Sequence, residues 1–405
     1  MLALVRVALA TWAIASVPWT ARPESGDGPD ENVVTEADLL ASVGPDHPAL
    51  AALHERVGVA EAGVLAASAL GQPALSLARE DPSGGGVRGV EQLDLTVAWE
   101  LPRRSRRTAT EAARMRFAAA RADAGDQELL LRRELRAIFA RWAVAAENAR
   151  ILAEHEERLA GLAARERLRA ERGEVAAIAA RRLELATGEA AARRALAEAE
   201  AESARRRVAG WNAELAAGRP RLPALPAPPA PAGATGPHPR LLALEQELEA
   251  ARLDRQAAHR FDVLPELLTG WQRQDDGVSE LDGPLLGLSW RVPLTDGNRA
   301  ARADAEARVA GTAARLELQR RAMEAEREAA ATALLTLRDA AAAAEAAAAA
   351  VTPLLEGTVA AFQLGESELT ELLDVLRSAT EAALRAVELR EAALDADRRL
   401  HYLTK

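Results

Sequence analysis

The sequence predicts a mainly α-helical protein with a small β part, in which one unit of helix, β-hairpin, long helix and return helix occurs twice. The first observation behind this is an internal repeat. His47-Pro48-Ala49-Leu50 runs on to Trp99-Glu100-Leu101-Pro102, and His238-Pro239-Arg240-Leu241 runs on to Trp290-Arg291-Val292-Pro293; 47 to 238 and 102 to 293 are the same offset of 191. An offset held over a passage of about 55 residues means a duplicated structural unit. The second observation is that no proline and almost no glycine falls between Arg103 and Glu171, which leaves nothing to stop a helix there. The third is composition: 28% of the 405 residues are charged and 3% aromatic, with Ala, Leu, Arg and Glu dominant. That is the profile of long helices, and because the hydrophobic share is mostly alanine, which buries little area, it excludes a large globular core.

Taken in order, residues 1–21 carry Arg6, an apolar stretch to Val17 and small residues at Ala13 and Ala15, the pattern of a secretory signal peptide. Residues 22–34 read as a disordered N-terminus. The first repeat covers 35–215. A tract from Thr35 to Gly71 has helical spacing, with Leu39, Leu40, Leu50, Leu53, Val57 and Val59 apolar. A hairpin follows over about 73–102. Leu93, Leu95, Val97, Trp99 and Leu101 alternate with Asp94, Thr96, Ala98 and Glu100, so one strand face is apolar and the other polar. The long helix over about 103–171 makes a rod of roughly 100 Å at about 1.5 Å per residue. Gly173 breaks it, and the return helix runs over about 174–215. A Pro-rich linker, 216–237, separates the copies; Pro220, Pro223, Pro226, Pro228, Pro229 and Pro231 hold it extended. The second repeat, 238–405, has its hairpin over about 264–293, a long helix over about 298–364 with a kink expected at Pro353, a break at Gly365 and a return helix over about 366–401.

Four strands per chain neither close a barrel nor hide their edges, so the hairpins need partners, and a symmetric oligomer supplies them. Trp99, Trp271 and Trp290 are three of seven tryptophans and all lie in the hairpins, as an interfacial girdle requires. No stretch after the first residues reaches about 18 uninterrupted apolar residues, so membrane insertion would be by β-barrel. The chain has no cysteine, which excludes disulfides, thiolate metal sites and a lipid-modified N-terminal cysteine. The rods carry narrow apolar stripes between charged faces, as helices laid side by side in a tube wall would; an elongated coiled-coil hairpin is the other reading.

The residues resemble the TolC family of outer-membrane efflux channels, and within it the outer-membrane component of cobalt-zinc-cadmium type heavy-metal efflux systems. The marks are the two His-Pro helix starts, Gly71-Gln72-Pro73-Ala74-Leu75-Ser76-Leu77, Pro293-Leu294-Thr295-Asp296-Gly297-Asn298-Arg299, and Leu364-Gly365-Glu366 followed by Leu372-Leu373-Asp374-Val375-Leu376. The resemblance covers the chain from about Thr35. It implies a homotrimer whose chains each give four strands to a 12-stranded barrel, continued by a long α-helical barrel, with helix-to-helix turns that dock on a periplasmic adaptor (membrane fusion) protein and an inner-membrane RND pump beyond it. One departure is Arg103-Arg104-Ser105-Arg106-Arg107, where the family has a glycine-containing turn and a single arginine.

The resemblance also implies roles for single residues. Gly173, Glu174, Gly365 and Glu366 fall at the adaptor-docking turns, where a plain helix-capping role is equally compatible with glycine. Asp374 falls near the pore constriction, where an acidic ring contributed threefold would favour cations; Arg377 and Arg182 are candidates to pair with acids there. Arg103, Arg104, Arg106 and Arg107 follow the hairpin, where they would meet lipid headgroups of the outer membrane or simply be solvated. Positive charge at a helix start opposes the dipole, which suggests an anionic partner.

Nothing supports catalysis or a cofactor. The six histidines are scattered, the His-Pro pairs read as helix-start signals, and His47 with His54 lacks a third ligand for a metal. There is no phosphate loop or nucleophile elbow, and a net charge of −10 argues against nucleic acid. The sequence therefore reads as a passive duct located in the outer membrane and reaching into the periplasm. A type I secretion duct of the same fold and a soluble coiled-coil scaffold are the alternatives.

Overall fold

The computed structural model describes residues 33–44, 46–70, 72–80, 91–100, 105–228, 236–259, 264–275, 279–291 and 298–405. The signal-peptide reading lies outside them, as do Arg103 and Arg104. The elements are β1 (Val33–Val34), α1 (Glu36–Ser42), α2 (Pro48–Ser68), β2 (Ala74–Glu80), β3 (Glu91–Glu100), α3 (Arg106–Glu171), α4 (Ala177–Ala209), a 3₁₀ turn (Leu215–Ala217), β4 (Arg219–Pro220), α5 (Pro239–His259), β5 (Leu264–Asp275), β6 (Glu280–Arg291), α6 (Arg299–Leu364) and α7 (Leu369–Thr404). The protein is mostly helical with a small sheet part. The chain exposes 27219 Å², against roughly 15,000 Å² for a compact chain of this mass. So large a surface belongs to an elongated fold, not to a compact globule.

The helices lie side by side. In the half nearest the sheet, α2 packs on α3, α3 on α5 and α5 on α6; in the other half the order is α4, α3, α7, α6. The two long helices run through both halves and the shorter ones complete each layer. Leu159, Leu162, Leu183, Leu355, Phe362, Leu372 and Leu376 form the far core. Phe139, Trp142 and Val208 form the middle one with Val34 and Leu39. α6 contains one 18-residue window apolar enough by mean composition to cross a membrane; every window of that length in α6 includes at least one charged residue, so the reading that no uninterrupted apolar stretch of about 18 residues follows the first residues stands.

The tract from Thr35 to Gly71 holds two helices, and His47-Pro48 starts the second one as a helix-start signal should, after the break at Val43 and Gly44. Two expectations need correction. The N-terminus is not disordered as far as residue 34: Val33 and Val34 pair in parallel with Arg219 and Pro220, and Val34 is buried in the middle core. Correspondingly, the Pro-rich linker is docked at its start. Arg221 N–H donates to Val34 O at 2.9 Å, and Arg390 Nε donates to Pro223 O at 2.9 Å. Two-residue pairings carry no periodicity, so local sequence does not announce them.

The hairpins are not separate. β2, β3, β5 and β6 form one antiparallel sheet in that order, the seam being β3 with β5. Gly270 stands at this seam opposite Thr96, and a Cβ there would lie 2.2 Å from Leu95 O. Only glycine permits that backbone approach.

Candidate functional site

The sheet sorts its side chains by face. Directly paired residues share a face, and the register sets Leu77 beside Leu95, Leu95 beside Trp271, Trp99 beside Leu267, and Leu267 beside Leu288. Leu75, Leu77, Leu93, Leu95, Trp99, Trp271, Leu286 and Leu288 are all exposed on this side. The opposite side holds Ser76 and Thr96, hydroxyls 2.5 Å apart, Gln92 donating to Asp94 at 2.7 Å, and Ser289 donating to Glu266 at 3.2 Å. Leu268, Leu281 and Leu285 are its large apolar exceptions, beside Ala74, Ala78 and Ala98. Trp290 occupies the rung opposite Pro265. Beyond the apolar band the strands carry Arg79 with Glu91 and Arg273 with Glu280 as ion pairs. From Leu93 to Trp99 the band covers roughly 20 Å along the strand at about 3.4 Å per residue.

At the base of the sheet α3 begins without glycine. Arg106 donates to Ser68 O, the last turn of α2, and Thr110 Oγ1 lies 3.1 Å from Ala67 O. The guanidinium therefore answers the negative end of α2, an intramolecular partner for a charge that the sequence left to lipid headgroups or to solvent. Arg107 is exposed.

At the other end the two long helices stop in the same way. Gly173 takes φ 74 and Gly365 φ 81. Glu174 N–H donates to Arg169 O at 2.9 Å and Gly173 N–H to Ala170 O at 3.0 Å. Glu366 donates to Ala361 O at 2.8 Å and Gly365 to Phe362 O at 3.0 Å. These are the paired bonds of a Schellman motif, satisfying carbonyls that the helix leaves open. The far core joins α3, α4, α6 and α7 just behind them, so both turns lie at one end of the bundle with all four predicted residues exposed.

Asp374 accepts from Arg377 Nη2 at 3.0 Å on the same exposed helix face, so its charge is already answered within the chain. Both line a cleft of about 350 Å³ with His155, Glu189 and Arg193. Arg182, though exposed on α4, is not among its lining residues. His155 was missed by sequence reasoning. Its Nδ1 lies 2.8 Å from Thr380 Oγ1, joining α3 to α7, and burial, aided by Arg193 and Arg158, holds its pKa below the ordinary value. Among the described residues no group of three or more His, Asp or Glu is placed to hold a metal ion.

A buried polar junction ties α7 to the start of α5. Asp126, 3% exposed, accepts from Tyr402 Oη at 2.7 Å. His238, 7% exposed, takes the Arg240 N–H on Nδ1 at 3.2 Å, so the ring hydrogen is on Nε2, which donates to Tyr402 O at 3.0 Å. Burial and the bond to Asp126 push the Tyr402 hydroxyl up to about 12.

No protein-family model matches the chain, and no curated relative matches its sequence. Solved structures do. The CmeC outer membrane channel of Campylobacter jejuni aligns at TM-score 0.76 and 14% identity over 91% of this chain and 85% of that one. The outer membrane protein VceC of Vibrio cholerae gives 0.73 and 17% over 91% and 96%. CusC, a protein that forms a transmembrane channel, gives 0.72 and 16% over 91% of each chain. The fold is thus that of outer-membrane channel proteins, and it spans nearly the whole length of each.

Proposed function

We propose that the chain is the outer-membrane channel of a tripartite efflux system, a passive exit duct made by three copies. The observation that carries this is a single chain with two open edges at every level. At the membrane end the edges are β2 and β6, and three four-stranded sheets close into a 12-stranded barrel. Strand edges left open in lipid cost several kcal/mol per unanswered backbone group, so one sheet alone is untenable there. The apolar outer face, with Trp99 and Trp271 exposed on it, and the polar opposite face fit lipid outside and water inside. Along the rods the edges are α2 and α4 on one side and α6 on the other. Each carries exposed leucines or isoleucine: Leu65, Ile178, Leu185 and Leu196 against Leu318, Leu354 and Leu364. Their burial on a neighbouring copy would continue the tube as an α-helical barrel.

The matching turns at Gly173-Glu174 and Gly365-Glu366 are the surface we assign to a periplasmic adaptor, with an RND pump beyond it. The Asp374–Arg377 pairs, repeated threefold, are assigned to the constriction. Heavy-metal cations or small toxic compounds as cargo rest on the sequence resemblance. The test is fractionation of cells producing the protein, sizing of the detergent extract, and growth of a deletion strain on graded metal salts. A trimer in the outer-membrane fraction and metal sensitivity restored to normal by the gene support the proposal. A water-soluble monomer or dimer contradicts the duct, and unchanged tolerance removes the cargo.

A further inference from the structure

A cavity of about 530 Å³ lies between the middle of α3 and the last two turns of α7. Its charged side chains are Arg132, Arg133, Arg136, Arg398 and Lys405, with His401 beside them and no Asp or Glu in the lining. So many cations about one cavity stand against the chain's net charge of −10. Acids behind the lining answer some of them. Glu128 pairs with Arg132 at 2.6 Å, Glu36 Oε1 lies 3.1 Å from Arg136 Nε without the alignment of a hydrogen bond, and Asp395 stands 3.7 Å from Arg398 Nη2. Glu36, Glu391 and Asp397 also stand near Arg398, so its charge is partly answered, but its hydrogen-bonding groups are not. The Arg398 side chain is 6% exposed, and its Nε and Nη1 have no hydrogen-bond partner among the described residues. Leaving guanidinium N–H groups buried and unmet is costly, so a site of this kind calls for an acceptor. His401 adds no cation near neutral pH, because burial, with Arg136 and Lys405 nearby, holds it below its ordinary pKa.

We propose that this cavity binds a compact oxyanion of the phosphate class, with Arg398 as the buried anchor and Arg133 and Lys405 at the rim. Guanidinium forks match the paired oxygens of such an anion, which a halide cannot offer. Arg133 is already fixed, its guanidinium 5.7 Å above the Tyr402 ring, so little side-chain freedom is lost on binding. A lipid headgroup is ruled out as the source by distance. From Arg106 at the sheet to Arg132 the helix advances about 40 Å. The ligand is therefore a free anion from solution, and its binding does not depend on the transport reading.

The test uses the full chain in detergent and follows the thermal unfolding midpoint against inorganic phosphate, with sodium chloride holding ionic strength constant. A ligand that binds the folded state raises the midpoint in a saturable way, and the proposal expects that rise with phosphate and not with chloride. Arg398→Met is expected to weaken the response by about ten- to hundred-fold, the range for losing hydrogen bonds to a charged group. If that variant does not fold, the double variant Arg133→Ala, Lys405→Ala decides, with a weaker response expected in a protein that keeps its core. An equal rise in chloride, a phosphate response unchanged in these variants, or tighter saturation by citrate than by phosphate would overturn the assignment.

Discussion

The two copies of the repeat share a helix start and differ in what surrounds it. In both, the histidine before Pro caps the helix through Nδ1: His47 takes the Ala49 N–H at 3.3 Å and His238 the Arg240 N–H at 3.2 Å. His47 then stacks on Trp211, ring centroids 5.4 Å apart, in a partly open setting. His238 is enclosed with Tyr402 and Asp126. The helices they start differ in the same sense. α5, held between α3 and α6, buries Ala243, Leu248, Ala250 and Ala251, whereas α2, at the rim, buries nothing. One unit used twice thus yields an interior helix and an edge helix. The edge copy leaves a helix surface that the proposed oligomer would cover.

The largest expected effect separates those two helices. Leu248→Asp puts a carboxylate into a buried apolar position and should cost several kcal/mol, enough to remove folded protein. Leu65→Asp, at a residue 67% exposed, should leave the chain folded by circular dichroism and instead reduce the oligomer recovered on sizing. Equal loss of fold in both would erase the distinction between edge and interior.

Next come the caps. His238→Ala leaves the Tyr402 carbonyl and the Arg240 N–H without their side-chain partner in a buried place, a loss of about 1–3 kcal/mol. His47→Ala removes a cap in the open, a loss of about 0.5–1 kcal/mol. Urea midpoints of the two variants decide the order. The tip turns should not differ from each other: Gly173→Ala and Gly365→Ala have open space for the new Cβ, so each should cost only the left-handed backbone term, about 1–2 kcal/mol. An effect confined to one turn would mean that its surroundings, not its φ, set the cost.

The smallest effect is a titration. The Tyr402 hydroxyl has its folded pKa raised to about 12 from an ordinary 10. Between those values the unfolded chain has lost the proton that the folded chain retains, so this contribution to stability falls as pH rises from about 10 to 12. Tyr402 is the only tyrosine, so tyrosinate absorbance reports it alone and should appear only above the pH usual for the phenol. Tyr402→Phe should remove both the signal and that part of the pH dependence. An unshifted titration would place the hydroxyl in water.

Much of this was legible because it is local. The His-Pro starts, the proline-free run of α3 and the glycines after both long helices act within a few residues, and the repeat doubles each signal. The alternation in β3 showed two faces before any partner strand was known. The seam between β3 and β5 was not legible, since pairing over so long a stretch of chain leaves no local mark; Gly270 is a clue only once the neighbouring backbone is seen. The docking of Val33 and Val34 on Arg219 and Pro220, the turning of Arg106 to Ser68 and the contact of His155 with Thr380 are likewise tertiary choices. At the candidate site, sequence marked the helix ends at Gly173 and Gly365, while the lining around Asp374 came from the packing of α3, α4 and α7. The docking and constriction roles remain proposals.

The central claim, that this chain closes a barrel only with its own copies, is tested most directly at the open strand edges. With no native cysteine, single cysteines placed on β2 at Ser76 and, in turn, along β6 from Leu285 to Ser289 report only the contact they make. Oxidation in intact cells should give, at one register, a covalent species of three chains recovered from the outer-membrane fraction. Monomer alone at every register, or an open ladder of growing size, would contradict the closed trimer.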